Sequence, residues 1–136
     1  MTTGLVLAQA AMQRSLLPQA QVHSAINEKM ATFHRDVVTE VQQAVRDHDV
    51  VVLGMKLNPF PGRARRLLDA NRITYKYLEW GSYLSQWRPR LAIKLWSGWP
   101  TFPQIFVKGT LIGGYTDLQR LLASGEFAQL LATPRV

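Results

Sequence analysis

The chain has 136 residues and no cysteine. That excludes a disulfide scaffold, a Cys-ligated zinc or iron–sulfur site, and a thiol nucleophile. Histidine is scarce as well, with three in all and none at a usual ligand spacing from carboxylates, so no metal site is expected. No apolar run approaches the ~18–20 residues of a membrane-spanning helix. A secretory signal needs a basic leader segment and a cleavage site. Neither is read here, and cytoplasm is the default expectation.

What is present suits one globular domain with a short extension. Hydrophobic residues make up 47 %, and four Trp, four Tyr and five Phe can fill a core. The net charge of +7 is unevenly spread. Lys56, Arg63, Arg65, Arg66, Arg72, Lys76, Arg88, Arg90 and Lys94 face only Asp69 and Glu79 within their own stretch, which nets 9 − 2 = +7; the remainder nets zero. Such a local excess attracts an anionic ligand, an acidic protein or nucleic acid, and it also suits a solvated surface.

Residues 1–31 form a distinct extension, helical or partly ordered. The apolar, Ala-rich run Leu5–Leu17 ends at Pro18, and self-association is a use for it. The domain is expected over 32–136. Ile26, Met30, Phe33, Val37, Val41 and Ala44 recur at helical spacing and predict one helix, with Ser24 or Thr32 as N-cap. Val50–Leu53 reads as a strand buried on both faces, ending at Gly54. The Pro- and Gly-containing stretch 56–62 predicts a loop, Arg63–Asn71 a helix and Ile73–Leu78 a second strand, together a small βαβ unit. A helix over Leu84–Leu95, limited by Pro89, precedes a turn at 97–100. Strands at 104–107 and 110–112 flank a tight turn at Lys108-Gly109. A last helix begins at Asp117, is interrupted near Gly125 and continues to Leu131. The expected class is α/β, with a four-stranded mixed sheet flanked by helices and an extra N-terminal helix.

This order comes with a long string, Trp99-Pro100-Thr101-Phe102-Pro103-Gln104-Ile105-Phe106-Val107-Lys108-Gly109, then Leu111-Ile112-Gly113-Gly114 and Asp117-Leu118. It resembles the glutaredoxin family in the thioredoxin-like fold, the monothiol branch especially, over roughly residues 34–132. The resemblance implies a redox motif after the first strand, C-P-(Y/F)-C or C-G-F-S. The matching positions here read Asn58-Pro59-Phe60-Pro61. Disulfide exchange needs an attacking thiolate, and an iron–sulfur cluster needs the same sulfur. The chain as written is expected to have neither activity. Asn58 can instead cap a helix, with Pro59 in its first turn.

The resemblance further implies a glutathione site. Lys56, Arg90 and Lys94 are the candidates for the ligand's carboxylates. Phe102, before a cis-Pro103, would pair its backbone with the ligand's central residue. Gly114, Thr116 and Asp117, at the start of the last helix, would hold the γ-glutamyl end. Helix N-termini offer free N–H groups to carboxylates, and Lys and Arg give charge-assisted hydrogen bonds. The same residues serve equally as a solvated basic face and an N-cap. Trp80, Tyr83, Trp87, Trp96 and Trp99 interleave with cations, as in single-strand nucleic-acid platforms. They more often pack a helix or form a protein interface, so nucleic acid is not favoured. Three functions follow: non-covalent binding of glutathione or a thiol peptide, a protein-interaction module on this scaffold, or a thiol–disulfide oxidoreductase whose cysteines were replaced.

Overall fold

Val50, Val51, Val52 and Leu53 are almost completely inaccessible to solvent, and the molecule is organised around them. The computed structural model describes residues 13–135. Two units meet in sequence at Phe33 and His34. Within the described part of the first, two 3-10 turns, Gln19–Gln21 and Ser24–Ile26, lead into helix α1, Asn27–Thr32. Its Gln19 side-chain amide donates to Asn27 Oδ1 at 3.0 Å. Most of the expected Leu5–Leu17 segment lies outside the described residues, and residues 14–18 have no regular structure.

The second unit runs α2 (Arg35–Asp47), β1 (Val50–Gly54), α3 (Pro59–Ala70), β2 (Lys76–Glu79), α4 (Trp87–Ser97), β3 (Gln104–Val107), β4 (Thr110–Gly113), α5 (Tyr115–Ser124) and α6 (Glu126–Ala132). The sheet order is β2-β1-β3-β4. β1 pairs parallel with β2, through Val52 opposite Tyr77, and antiparallel with β3, through Val52 opposite Ile105. β3 pairs antiparallel with β4.

Strand alternation sends successive side chains to opposite faces, and each face builds a core. Val51, Leu53 and Phe106 join Val41 of α2 and Ile93 of α4 on one side. Val50, Val52, Ile105 and Val107 join Ala64 and Leu68 of α3, Leu118 of α5 and Phe127 of α6 on the other. The sheet is thus sandwiched between two helical layers, the expected four-stranded mixed sheet.

Several expected boundaries move. The single helix from Ile26 to Ala44 is two helices, because the chain breaks at Phe33 and His34 takes a left-handed φ of 44°. Neither Ser24 nor Thr32 caps α2; Thr32 Oγ1 instead donates to the Glu28 carbonyl within α1. The stretch 56–62 is not all loop, since α3 starts at Pro59, four residues before the expected Arg63. Proline is acceptable in a first turn, where no N–H is required of it. β2 starts at Lys76, not Ile73, because the Ile73 N–H turns back to the Leu68 carbonyl at 3.0 Å. α4 starts at Trp87, not Leu84, and Pro89 falls harmlessly in its first turn. α5 starts at Tyr115, two residues ahead of Asp117.

Candidate functional site

At the end of β1 the chain turns into α3, and Asn58 governs that turn. Its Oδ1 accepts from the Phe60 N–H at 2.9 Å, which caps the helix. Its Nδ2 donates to the Phe102 carbonyl at 3.3 Å. Both ends of one amide therefore join the start of α3 to the loop before β3. The Phe102–Pro103 peptide is cis. Pro61, the other position of the motif, is buried and packs near Gly54, where an added Cβ would lie 2.9 Å from it and 2.5 Å from the Tyr77 hydroxyl.

The loop before β3 is held from below. Gln104 is fully buried; its Nε2 donates to the Trp99 carbonyl at 2.9 Å, and its Oε1 accepts from Ser97 Oγ at 2.8 Å. The Trp99 N–H donates to Ser97 Oγ at 3.1 Å. The Trp99 indole Nε1 is buried with no hydrogen-bond partner among the described residues.

On the opposite wall, β4 passes into α5 through Gly113 and Gly114. Asp117 Oδ2 accepts from the Gly114 N–H at 2.9 Å. Gly113 has a φ of +108°, and a Cβ there would sit 2.5 Å from Asp117 Oδ2. Only glycine leaves room for that carboxylate. The first glycine of the pair carries the constraint, since a Cβ on Gly114 would make only ordinary contacts.

Between these walls lies a cleft of ≈ 450 Å³. Asn58, Pro59, Phe60, Phe102, Pro103, Gly114, Thr116 and Asp117 all line it, so eight of the expected motif and ligand positions converge. Tyr83, Trp99, Thr101 and Tyr115 complete it. Tyr115 went unremarked in the sequence, although it directly follows the Gly-Gly pair. Phe60 and Tyr115 approach with ring centroids 6.0 Å apart. The lining is aromatic, with Asp117 its one charged side chain.

The three basic candidates stand elsewhere. Arg90 is only 6 % exposed, and its Nη1 donates to the carbonyls of Trp80, at 2.9 Å, and Ser85, at 2.6 Å. Burial pushes its guanidinium pKa down, while Tyr83 acts weakly the other way. Its place is inside the fold, fastening the loop before α4, and it does not line the cleft. Lys94 lies 5.8 Å from the Phe102 ring centroid, outside the lining. Lys56 is exposed, and its backbone N–H donates to the Gly81 carbonyl. More of the basic segment covers aromatic faces: Arg63 on Phe60, Arg65 on Tyr77 and Arg88 on Trp87. Of the basic segment, Arg63 and Lys94 lie over the cleft-lining rings of Phe60 and Phe102, and no cation is in the lining itself.

The chain supplies no thiolate for an iron–sulfur cluster, so its residues do not fit that group. Among the described residues no cluster of His, Asp and Glu could hold a metal ion, and no helix is long and apolar enough to cross a membrane.

Comparison with known proteins agrees with the geometry. The glutaredoxin family model matches residues 50–112. A glutaredoxin-like protein of Dictyostelium discoideum is 43 % identical over 100 residues, covering 74 % of this chain and 81 % of that one. The mitochondrial monothiol glutaredoxin-5 of Schizosaccharomyces pombe is 33 % identical over 97 residues, covering 67 % and 66 %. Among solved structures, a buckwheat glutaredoxin–glutathione complex superposes with a TM-score of 0.62 at 20 % identity, over 77 % of this chain and 92 % of that one. Sequence and fold agree: this chain, without a cysteine, belongs to the glutaredoxin family.

Proposed function

We propose that the cleft binds glutathione, or a closely related thiol peptide, non-covalently and without disulfide exchange. One observation carries this: Asp117 and the start of α5 lie across a single cleft from Phe102 and Asn58, with no thiol between them. The Asp117 carboxylate offers an acceptor to an ammonium group, and the first N–H groups of α5 offer donors to a carboxylate. That pair of complementary groups suits the zwitterionic end of a γ-glutamyl peptide. A glutathione complex of the buckwheat relative supports the assignment. Asn58 holds the walls together and offers no nucleophile, so the bound thiol stays intact.

Calorimetric titration with reduced glutathione tests this. Saturable binding is expected, weakened about tenfold or more in Asp117→Ala through loss of a charge-assisted hydrogen bond. No binding at millimolar ligand overturns it. The second function, a protein-interaction module, would then take precedence. It is favoured by one feature, the exposed apolar row Leu84, Trp87, Leu91 and Leu95 along and just before α4.

A further inference from the structure

The lining of the cleft is mostly aromatic and carries one charged side chain. Asp117 supplies that charge, with Thr116 beside it in the first turn of α5. The remaining wall includes Pro59, Phe60, Tyr83, Trp99 and Tyr115. Phe60 is 43 % exposed, with the Arg63 guanidinium 5.0 Å from its ring centroid, and Tyr83 is 63 % exposed, so both keep aromatic surface that an occupant can cover. The amide of Asn58 already bonds Phe60 and Phe102, which leaves no nucleophile there to reward a free thiol. No lysine or arginine is in the lining itself, Arg63 and Lys94 lying over the rings of Phe60 and Phe102, so a ligand that is polar along its whole length meets mostly aromatic surface. A ligand with one zwitterionic end and one apolar substituent matches both the Asp117 carboxylate and the aromatic rings. The volume of ≈ 450 Å³ falls in the ordinary small-ligand range of about 300–1,000 Å³.

We infer that the site prefers thiol peptides whose sulfur carries an apolar substituent, thioethers of the S-alkyl or S-aryl glutathione class, over the free thiol. The inference rests on the proposed glutathione site and specifies its ligand. The sulfur is already blocked in such a ligand, so a site without a nucleophile loses nothing by taking it. The substituent moves apolar surface from water onto aromatic rings, and that transfer favours binding in proportion to the area covered. A chain that retains or delivers blocked thiol peptides needs recognition only, and no chemistry is required of Asn58.

The test is calorimetric titration of the full chain with S-hexylglutathione and, separately, reduced glutathione. The expected result is S-hexylglutathione binding at least about tenfold more tightly, as burial of several methylenes implies. In Phe60→Ala the preference should fall to within about threefold, because the lost ring is part of the surface that the alkyl chain covers. Phe60 is exposed, so the variant should fold, and an unchanged circular dichroism spectrum checks this. Equal affinities for the two ligands overturn the inference and leave the glutathione site standing. A preference that survives Phe60→Ala and Tyr83→Ala places the hexyl group elsewhere and also overturns it. Failure of both ligands to bind removes the glutathione site itself, and the inference with it.

Discussion

Asn58 uses both ends of its amide, one to cap α3 and one to reach the Phe102 carbonyl. A side-chain cap is worth about 1 kcal/mol, and losing it exposes the first N–H groups of the helix. Asn58→Ala should therefore lower stability by about 1–2 kcal/mol in urea denaturation, with the slope unchanged. An unaltered midpoint would mean the cap is redundant. Asn58→Cys asks a different question of the same position. A thiol placed at a helix N-terminus should ionise below the ordinary value of about 8.5, because the helix dipole favours the anion. The pH dependence of alkylation measures this, and an unshifted profile would show that α3 no longer activates the position.

The elements differ in how far the sequence displayed them. β1 and β3 were legible because both faces of each are buried, which gives the apolar runs Val50–Leu53 and Ile105–Val107. The turn at Lys108-Gly109 was legible from its own chemistry, Gly109 having a φ of +82°. The start of α3 was less so, because prolines that belong to a first helical turn also suit a loop. β2 lost its first residues to the local closure of α3, in which the Ile73 N–H bonds the Leu68 carbonyl around Arg72 at a φ of 58°, a left-handed position usually marked by glycine and here by none. The cleft was legible where residues sit on element ends, as at Asn58, Phe102 and Asp117. It was not legible for Arg90, because whether a guanidinium faces solvent or two internal carbonyls depends on how α4 packs. Arg90→Met should leave the Trp80 and Ser85 carbonyls without their donor and cost about 2–3 kcal/mol. Glutathione affinity, measured well below the denaturation midpoint, should stay within about twofold of the parent's. A large loss of affinity without loss of stability would return Arg90 to the ligand.

At the scale of the whole molecule, alkaline pH probes the β2 edge of the sheet. Burial, and then the hydrogen bond and charge of Glu79, push the Tyr77 phenol well above its ordinary value. The folded state therefore holds this proton more tightly than the unfolded chain, whose tyrosine releases it near pH 10. This contribution to stability is fully present below about pH 10 and is lost progressively as pH rises further. Denaturation midpoints should fall above that pH in the parent and fall less steeply in Tyr77→Phe; identical slopes would contradict the assignment. Two buried layers around one sheet leave the cleft at the meeting of α3, α5 and the loop before β3, so the site is a property of the assembled fold.

The central claim is that a ligand site persists here without a thiol. Backbone amide NMR during titration with reduced glutathione tests it most directly. Shifts should cluster at Phe60, Phe102, Thr116 and Asp117, saturate together, and reverse on dialysis because no covalent bond forms. A spectrum unchanged at these residues at millimolar ligand, with the fold intact, would contradict it.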